Sequence, residues 1–346
     1  MKTKKSNLKN IINISFIFVL TIGIAIYMLK VDGIDNIVNV IKNVNIYWMF
    51  AGIACMVMYW LIESLNLYII SKTMYKDQLF INSFRVSMIG QLFNSITPFS
   101  SGGQPMQAVS LVKEGKRISD SANILLIKFI VYQGTLVLYT LVIIIFQFSY
   151  FKSLVSNFMN LALVGFLVNF AVIVFLVLIG VNKNIVLNAS KIFFKLLARI
   201  KIVKNPEERM NKLEKSIDNF HANFKMMKKQ KMAIFEMVVL SLIQHTVFFS
   251  VTYMVYRAFG LSGVSLFKII SAQSFLSMVM AFVPIPGAGI AAEGGFLIIF
   301  KNFFTPQTIN MGILFWRLYT FYLPIIIGSI VMIMVRRREK VSEEIK

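Results

Sequence analysis

The sequence predicts an all-α fold, a polytopic integral membrane helix bundle of about six spans plus two re-entrant hairpins in an inverted repeat. Three observations predict it. Hydrophobic residues make up 57% of the 346 positions, only 15% are charged, and the mean hydropathy is +0.73, too apolar for a domain that must cover its core with water-facing surface. Most of the length falls in apolar runs of about 20 residues, each long enough to cross about 30 Å of hydrocarbon. Lysine and arginine alternate between rich and poor in the successive connecting stretches, as the positive-inside rule requires of a multi-pass chain.

The elements follow in order. Met1-Lys2-Thr3-Lys4-Lys5 before the apolar run from Ile11 to Leu29 has the shape of a signal peptide. Lys30-Val31-Asp32 offers no small-residue cleavage site, so an uncleaved first span is expected. Further spans are expected at 48 to 70, 122 to 148, 158 to 181, 233 to 258 and 311 to 335. Two segments, 84 to 112 and 268 to 300, are apolar yet broken in the middle by proline and glycine, and they do not read as simple helices.

Charge counting decides how these two segments cross. If the N-terminus is cytoplasmic, 28 of the 36 lysines and arginines fall in cytoplasmic stretches, six in outer ones, and Lys128 and Arg317 within spans. That alternation holds only if each broken segment enters and leaves on one side, so both are expected to be hairpins. A single domain then fills 1 to 346. Its first half, 1 to 150, holds hairpin 84 to 112; its second, 151 to 346, holds a cytoplasmic loop at 182 to 231 and hairpin 268 to 300. Both termini are expected in the cytoplasm, with the chain in the plasma membrane of a prokaryote.

The net charge of +21 is therefore largely topology signal, and no nucleic-acid footprint is read from it. One cysteine, Cys55, lies inside an apolar run, so no disulfide framework or redox motif is present. No histidine, cysteine or carboxylate cluster has metal-ligand spacing, and no phosphate loop or nucleophile elbow occurs. No cofactor, metal or catalytic residue is expected.

Matched interrupted segments in two halves of a membrane protein point to a transporter's binding site, because irregular backbone at membrane depth must line protein or a polar cavity. The first hairpin supplies Gln91, Asn94, Pro98, Gly102, Gly103, Gln104 and Gln107 as candidates for contacting a substrate; the second supplies Pro284, Pro286, Gly287, Gly289 and Glu293. Aligning Pro98 with Pro284 sets Gly103 opposite Gly289 and Gln107 opposite Glu293. Glycine permits positive φ, and the half-helix after each turn is expected to offer unpaired N–H groups to an anion such as a lipid phosphate. The alternative is that the breaks only allow helices to cross closely.

A buried Lys or Arg costs on the order of 3 kcal/mol at mid-bilayer, so Lys128 and Arg317 should face inward and be paired. Glu63, flanked by Tyr59 and Asn66, is the expected partner of Lys128, and Glu293 that of Arg317. Lys128 shares a helical face with Tyr132, Thr135 and Tyr139. These pairs fit either a headgroup site or structural glue. His245 beside Gln244 could relay protons, or be a satisfied core histidine; His221 is expected to be solvated. In the loop, Met210, Leu213, Ile217, Phe220, Phe224 and Met227 recur at helical spacing, which predicts interfacial helices or a plain basic connector.

The stretches Gln91-Leu92-Phe93-Asn94 through Pro98 to Gly102-Gly103, Val283-Pro284-Ile285-Pro286-Gly287 with Glu293-Gly294-Gly295, and Arg317-Leu318-Tyr319-Thr320 to Pro324 and Gly328 resemble the lysylphosphatidylglycerol synthase transmembrane family. This is the flippase-like membrane region of the bacterial multiple peptide resistance factor. The resemblance implies a lipid translocase moving an anionic or aminoacylated phospholipid such as lysylphosphatidylglycerol, or a polyprenyl-phosphate lipid. It also implies an alternative, phosphatidylglycerol lysyltransferase or a membrane component of one, linked to resistance to cationic antimicrobial peptides. In the full-length relatives a cytosolic domain transfers lysine from lysyl-tRNA. No such domain is expected here, so a separately encoded synthase is an implied partner, and a homo-oligomer is compatible with the sequence. Lys128 stands where Arg317 leads one to expect arginine, which weakens bidentate phosphate recognition in the first half.

Overall fold

A computed structural model describes residues 38–182, 230–281 and 289–344, together with scattered positions between 184 and 218. The expected first span, His221, and Pro284, Pro286 and Gly287 lie outside the described residues. Every regular element among the described residues is helical, and the chain is a polytopic helical membrane bundle.

The spans are α1 (Ile46–Met74), α4 (Ile118–Leu154), α5 (Ser156–Val181) and α6 (Lys231–Ala258), and a broken final span. With 29, 37, 26 and 28 residues, each exceeds the roughly 20 needed to cross the hydrocarbon. Their outer faces keep large apolar side chains exposed, including Ile145 and Phe146 on α4 and Leu161, Val164 and Leu167 on α5, which is the surface a lipid-solvated helix presents.

The segment 84 to 112 is α2 (Phe80–Ile96), a 3₁₀ turn at Pro98–Ser100, and α3 (Gly103–Lys113). Its counterpart at 268 to 300 contains α7 (Leu266–Met280) and α8 (Gly289–Phe300). At 1.5 Å per residue these four helices run about 26, 17, 23 and 18 Å, all short of a full crossing. Each pair packs against itself, α2 on α3 and α7 on α8, as a hairpin does.

The last span is α9 (Ile309–Arg317), a π-helical turn at Leu318–Tyr322, and α10 (Leu323–Glu344). Proline explains the interruption. Pro324 has no N–H for the Thr320 carbonyl and its ring would press on it, so the ladder widens just before it, with the Leu323 N–H donating to the Leu318 carbonyl.

The helix contacts obey a two-fold relation between halves. Matching α1 with α6, α2 with α7, α3 with α8, and α4 with α9 to α10 maps α1–α2 onto α6–α7, α3–α4 onto α8–α9 and α1–α4 onto α6–α9. It also maps α2–α10 onto α7–α4, and leaves the central α1–α6 contact on itself. This is the packing that the predicted repeat demands.

Small residues set how closely the elements approach. A Cβ on Gly328 of α10 would meet the Met88 carbonyl oxygen and Leu92 Cβ of α2, both at 2.8 Å. Of the loop's expected apolar face, Met210, Leu213 and Ile217 pack with Ile179 and Leu187, so that part is covered by the chain itself rather than by the membrane interface; Phe220, Phe224 and Met227 lie outside the described residues.

Candidate functional site

Both hairpins and both intramembrane cations meet at one cavity of about 530 Å³. Gln91, Asn94, Gln104 and Gln107 line it from the first hairpin, Gln273, Ser277 and Met280 from α7, and Lys128, Tyr132 and Arg317 from the spans that follow. Glu63 and Tyr59 of α1 and His245 of α6 complete the polar wall.

Lys128 forms an ion pair with Glu63 Oε1, and its Nζ donates to Gln107 Oε1 at 3.3 Å. The other Glu63 oxygen accepts Gln244 Nε2 at 2.9 Å, while Asn66 Nδ2 donates to Gln244 Oε1 at 3.2 Å and to Ser241 Oγ at 3.3 Å. Lys128, Glu63, Gln244 and Asn66 are all buried. The network ties α1, α3, α4 and α6 at one point, and each ionised oxygen of Glu63 has a donor, the condition under which a buried pair is tolerable.

In the second half Arg317 Nε donates to Glu293 Oε1 at 2.7 Å. The guanidinium also lies over the rings of Trp316 and Phe321, at 5.0 and 5.3 Å from their centroids. Gln107 is the fifth residue of α3 and Glu293 the fifth of α8, and each meets the cation of its own half. The predicted equivalence is thus realised in contacts. The halves differ in where the carboxylate comes from: α8 brings Glu293 itself, whereas Gln107 is neutral and Lys128 takes its carboxylate from α1.

The hairpin glycines act differently from the expectation. Gly102 has φ of −82°, and the positive values at the tip belong to Phe99 (54°) and Ser100 (52°), both on the cavity wall. Non-glycine residues at positive φ are sterically costly and concentrate at functional sites. The glycines serve close packing instead. A Cβ on Gly90 would meet Gln107 Nε2 at 2.3 Å, and one on Gly103 would meet Asn94 Oδ1 at 2.0 Å.

The start of α3 is also less open to an anion than its break suggested. Thr97 Oγ1 accepts the Gly102 N–H at 2.8 Å, and Asn94 Oδ1 accepts the Gly103 N–H at 3.1 Å. The chain's own side chains occupy those donors. Pro98, Gly102, Gly103 and Glu293 do not line the cavity; they shape the turn or stand behind Arg317. Gly289 opens α8.

Two polar wall residues, Gln133 and Asn169, escaped the sequence reading, as did the rings of Phe129, Phe248 and Phe249. Gln133 of α4 donates to Asn169 of α5, closing one side of the cavity. An amide inside the very apolar run 158 to 181 was the available signal. His245 Nε2 sits 3.2 Å from both the Thr135 hydroxyl and the Tyr132 carbonyl oxygen, so a histidine with ordinary partners also faces the cavity.

The match to known proteins agrees with this architecture. The model of the lysylphosphatidylglycerol synthase transmembrane region matches residues 13–328, which take in both hairpins and all the cavity residues. The chain belongs to the lysylphosphatidylglycerol synthase transmembrane family. It is similar to a UPF0104 membrane protein of Archaeoglobus fulgidus, 23% identical over 297 residues that cover 84% of this chain and 88% of the relative. It is also similar to the UPF0104 membrane protein MJ1595 of Methanocaldococcus jannaschii, 22% identical over 342 residues and 97% of each chain. For this member of the lysylphosphatidylglycerol synthase transmembrane family, those relatives are membrane proteins of nearly the same extent.

Proposed function

We propose that this protein is a lipid translocase that passes a phospholipid or polyprenyl-phosphate headgroup between leaflets through the cavity. The observation that carries the reading is the shared cavity itself, where two related half-domains each contribute a hairpin and a cation to one polar chamber in an apolar bundle. At about 530 Å³ the chamber is of the size of a small-molecule site. It suits a headgroup, with the acyl chains remaining in the bilayer.

Phosphate is a group that Lys128 and Arg317 can each bind, and two half-domains related by a two-fold lend themselves to alternating access by rocking about a fixed site. With the basic stretches in the cytoplasm of a prokaryotic cell, the first hairpin enters from inside and the second from outside.

The test is reconstitution in liposomes with labelled phosphatidylethanolamine, phosphatidylglycerol, lysylphosphatidylglycerol or a polyprenyl phosphate and an outer-leaflet quencher. Faster exchange than in empty liposomes for at least one lipid is expected, and none for any of them defeats the proposal. The family description also raises lysyl transfer to phosphatidylglycerol; lysyl-lipid rising in cells that express this chain alone would favour that reading.

A further inference from the structure

The formal charges around the cavity cancel. Its wall carries Lys128, Arg317 and Glu63, and Glu293 stands directly behind Arg317 in contact with it. Counting histidine as neutral at pH 7, the sum is zero among the described residues. The sequence between Ala281 and Gly289 adds no ionisable side chain. Neither cation waits for a ligand, since each already has a carboxylate.

A headgroup must therefore exchange partners with these pairs. A bare phosphate monoester or diester that drew Lys128 away would strand Glu63, which is 7% exposed, in a low-dielectric site. A headgroup that carries an ammonium as well as a phosphate avoids this. Its phosphate can take the cation while its ammonium takes the released carboxylate, and one ion pair becomes two with no change in net charge.

The wall is furnished for that second group. Tyr59, Phe129, Tyr132, Phe248 and Phe249 line the cavity, with Tyr59 one helical turn from Glu63, Tyr132 one turn from Lys128 and the Phe248 ring 5.0 Å from that of Tyr59, and aromatic faces beside a carboxylate recognise ammonium groups. Behind the wall, Glu293 Oε2 is buried with no hydrogen-bond partner among the described residues, so it is open to a donor if Arg317 turns toward a phosphate.

We infer that the cavity selects a zwitterionic headgroup, one phosphate and one ammonium with no net charge, over headgroups of net negative or net positive charge. The inference rests on the cavity being a headgroup site, as proposed above, and is tested by binding rather than by transport.

The full-length protein in neutral detergent would be titrated with short-chain phosphatidylethanolamine, phosphatidylglycerol and lysylphosphatidylglycerol, with complexes counted by native mass spectrometry. The wild type is expected to hold the zwitterion about tenfold or more tighter than either charged lipid, a ratio equal to about 1.4 kcal/mol. Glu293→Gln leaves the cavity one positive charge in excess and should move the preference to phosphatidylglycerol; Arg317→Gln leaves one negative charge and should move it to lysylphosphatidylglycerol. Glu63→Gln is a second route to the positive cavity if Glu293→Gln does not fold. A wild-type preference for either charged lipid, equal binding of all three, no binding of any, or a ranking that the variants leave unchanged overturns the inference. Selective binding without exchange in liposomes would instead sink only the translocase reading.

Discussion

Lys128 of α4 and Glu63 of α1 form an ion pair in the interior of the bundle, and the second Glu63 oxygen is held by Gln244 of α6 at 2.9 Å. Three spans from the two halves are thus fixed to one carboxylate. Removing one partner of such a pair leaves an uncompensated buried charge, whereas removing both leaves none. Lys128→Met and Glu63→Gln should each destabilise by about 3–5 kcal/mol, and the double variant should recover most of the loss. Thermal unfolding of the detergent-purified proteins measures this; an additive double variant would show that the two side chains do not act as a pair.

Gly103 and Gly134 make a matched comparison. A methyl at Gly103 would collide with the Asn94 side chain and lie 2.7 Å from the Gly90 carbonyl oxygen of α2, while one at Gly134 of α4 meets nothing within 4 Å among the described residues. Gly103→Ala should cost about 1–3 kcal/mol by forcing α2 and α3 apart, and should lower lipid exchange because Asn94 lines the cavity. Gly134→Ala should be neutral or stabilising by about 0.5–1 kcal/mol, since it only improves helix propensity. Unfolding temperatures and exchange rates of the two variants check both statements.

Pro324 holds open the π turn next to Arg317. Pro324→Ala restores an N–H that can reach the Thr320 carbonyl, so α9 and α10 can join as one regular helix. Closing the π turn rotates Arg317 relative to α10. Unfolding temperature should stay level or rise while lipid exchange falls. Loss of stability with unchanged exchange would contradict this role.

Gly328 sets the distance between the halves at the α2–α10 contact. Gly328→Val would thrust a branched side chain onto the Met88 carbonyl and Leu92, 2.8 Å from its first carbon. Overpacking of this kind costs about 1–3 kcal/mol. The variant should unfold at lower temperature, and Leu92→Ala in the same chain should relieve part of the deficit by making room.

Several of these relationships could be read from the chain before any coordinates. The break at Pro98, the equivalence of Gln107 with Glu293 and the two ion pairs follow from rules with few exceptions: proline interrupts helices, charges in spans must be paired, and repeats place equivalent residues alike. The detail at the hairpin tip could not be read. That Phe99 and Ser100, rather than a glycine, take positive φ depends on how Thr97 and Asn94 cap the next helix. Asn169 is not legible in the sequence because a single amide in an apolar run carries no periodicity and its partner Gln133 lies 36 residues away.

By itself the sequence determined that this is a multi-pass helical protein with two broken segments, two buried cations and two carboxylates to meet them. Hydropathy and the cost of unpaired charge in lipid leave little freedom on those points. Only the tertiary structure decided that both pairs border one cavity, that Glu293 stands behind Arg317 while Glu63 faces inward, and that the start of α3 is capped by its own hairpin. Those facts depend on the rotation and approach of helices distant in sequence, which side-chain packing fixes and no local pattern encodes.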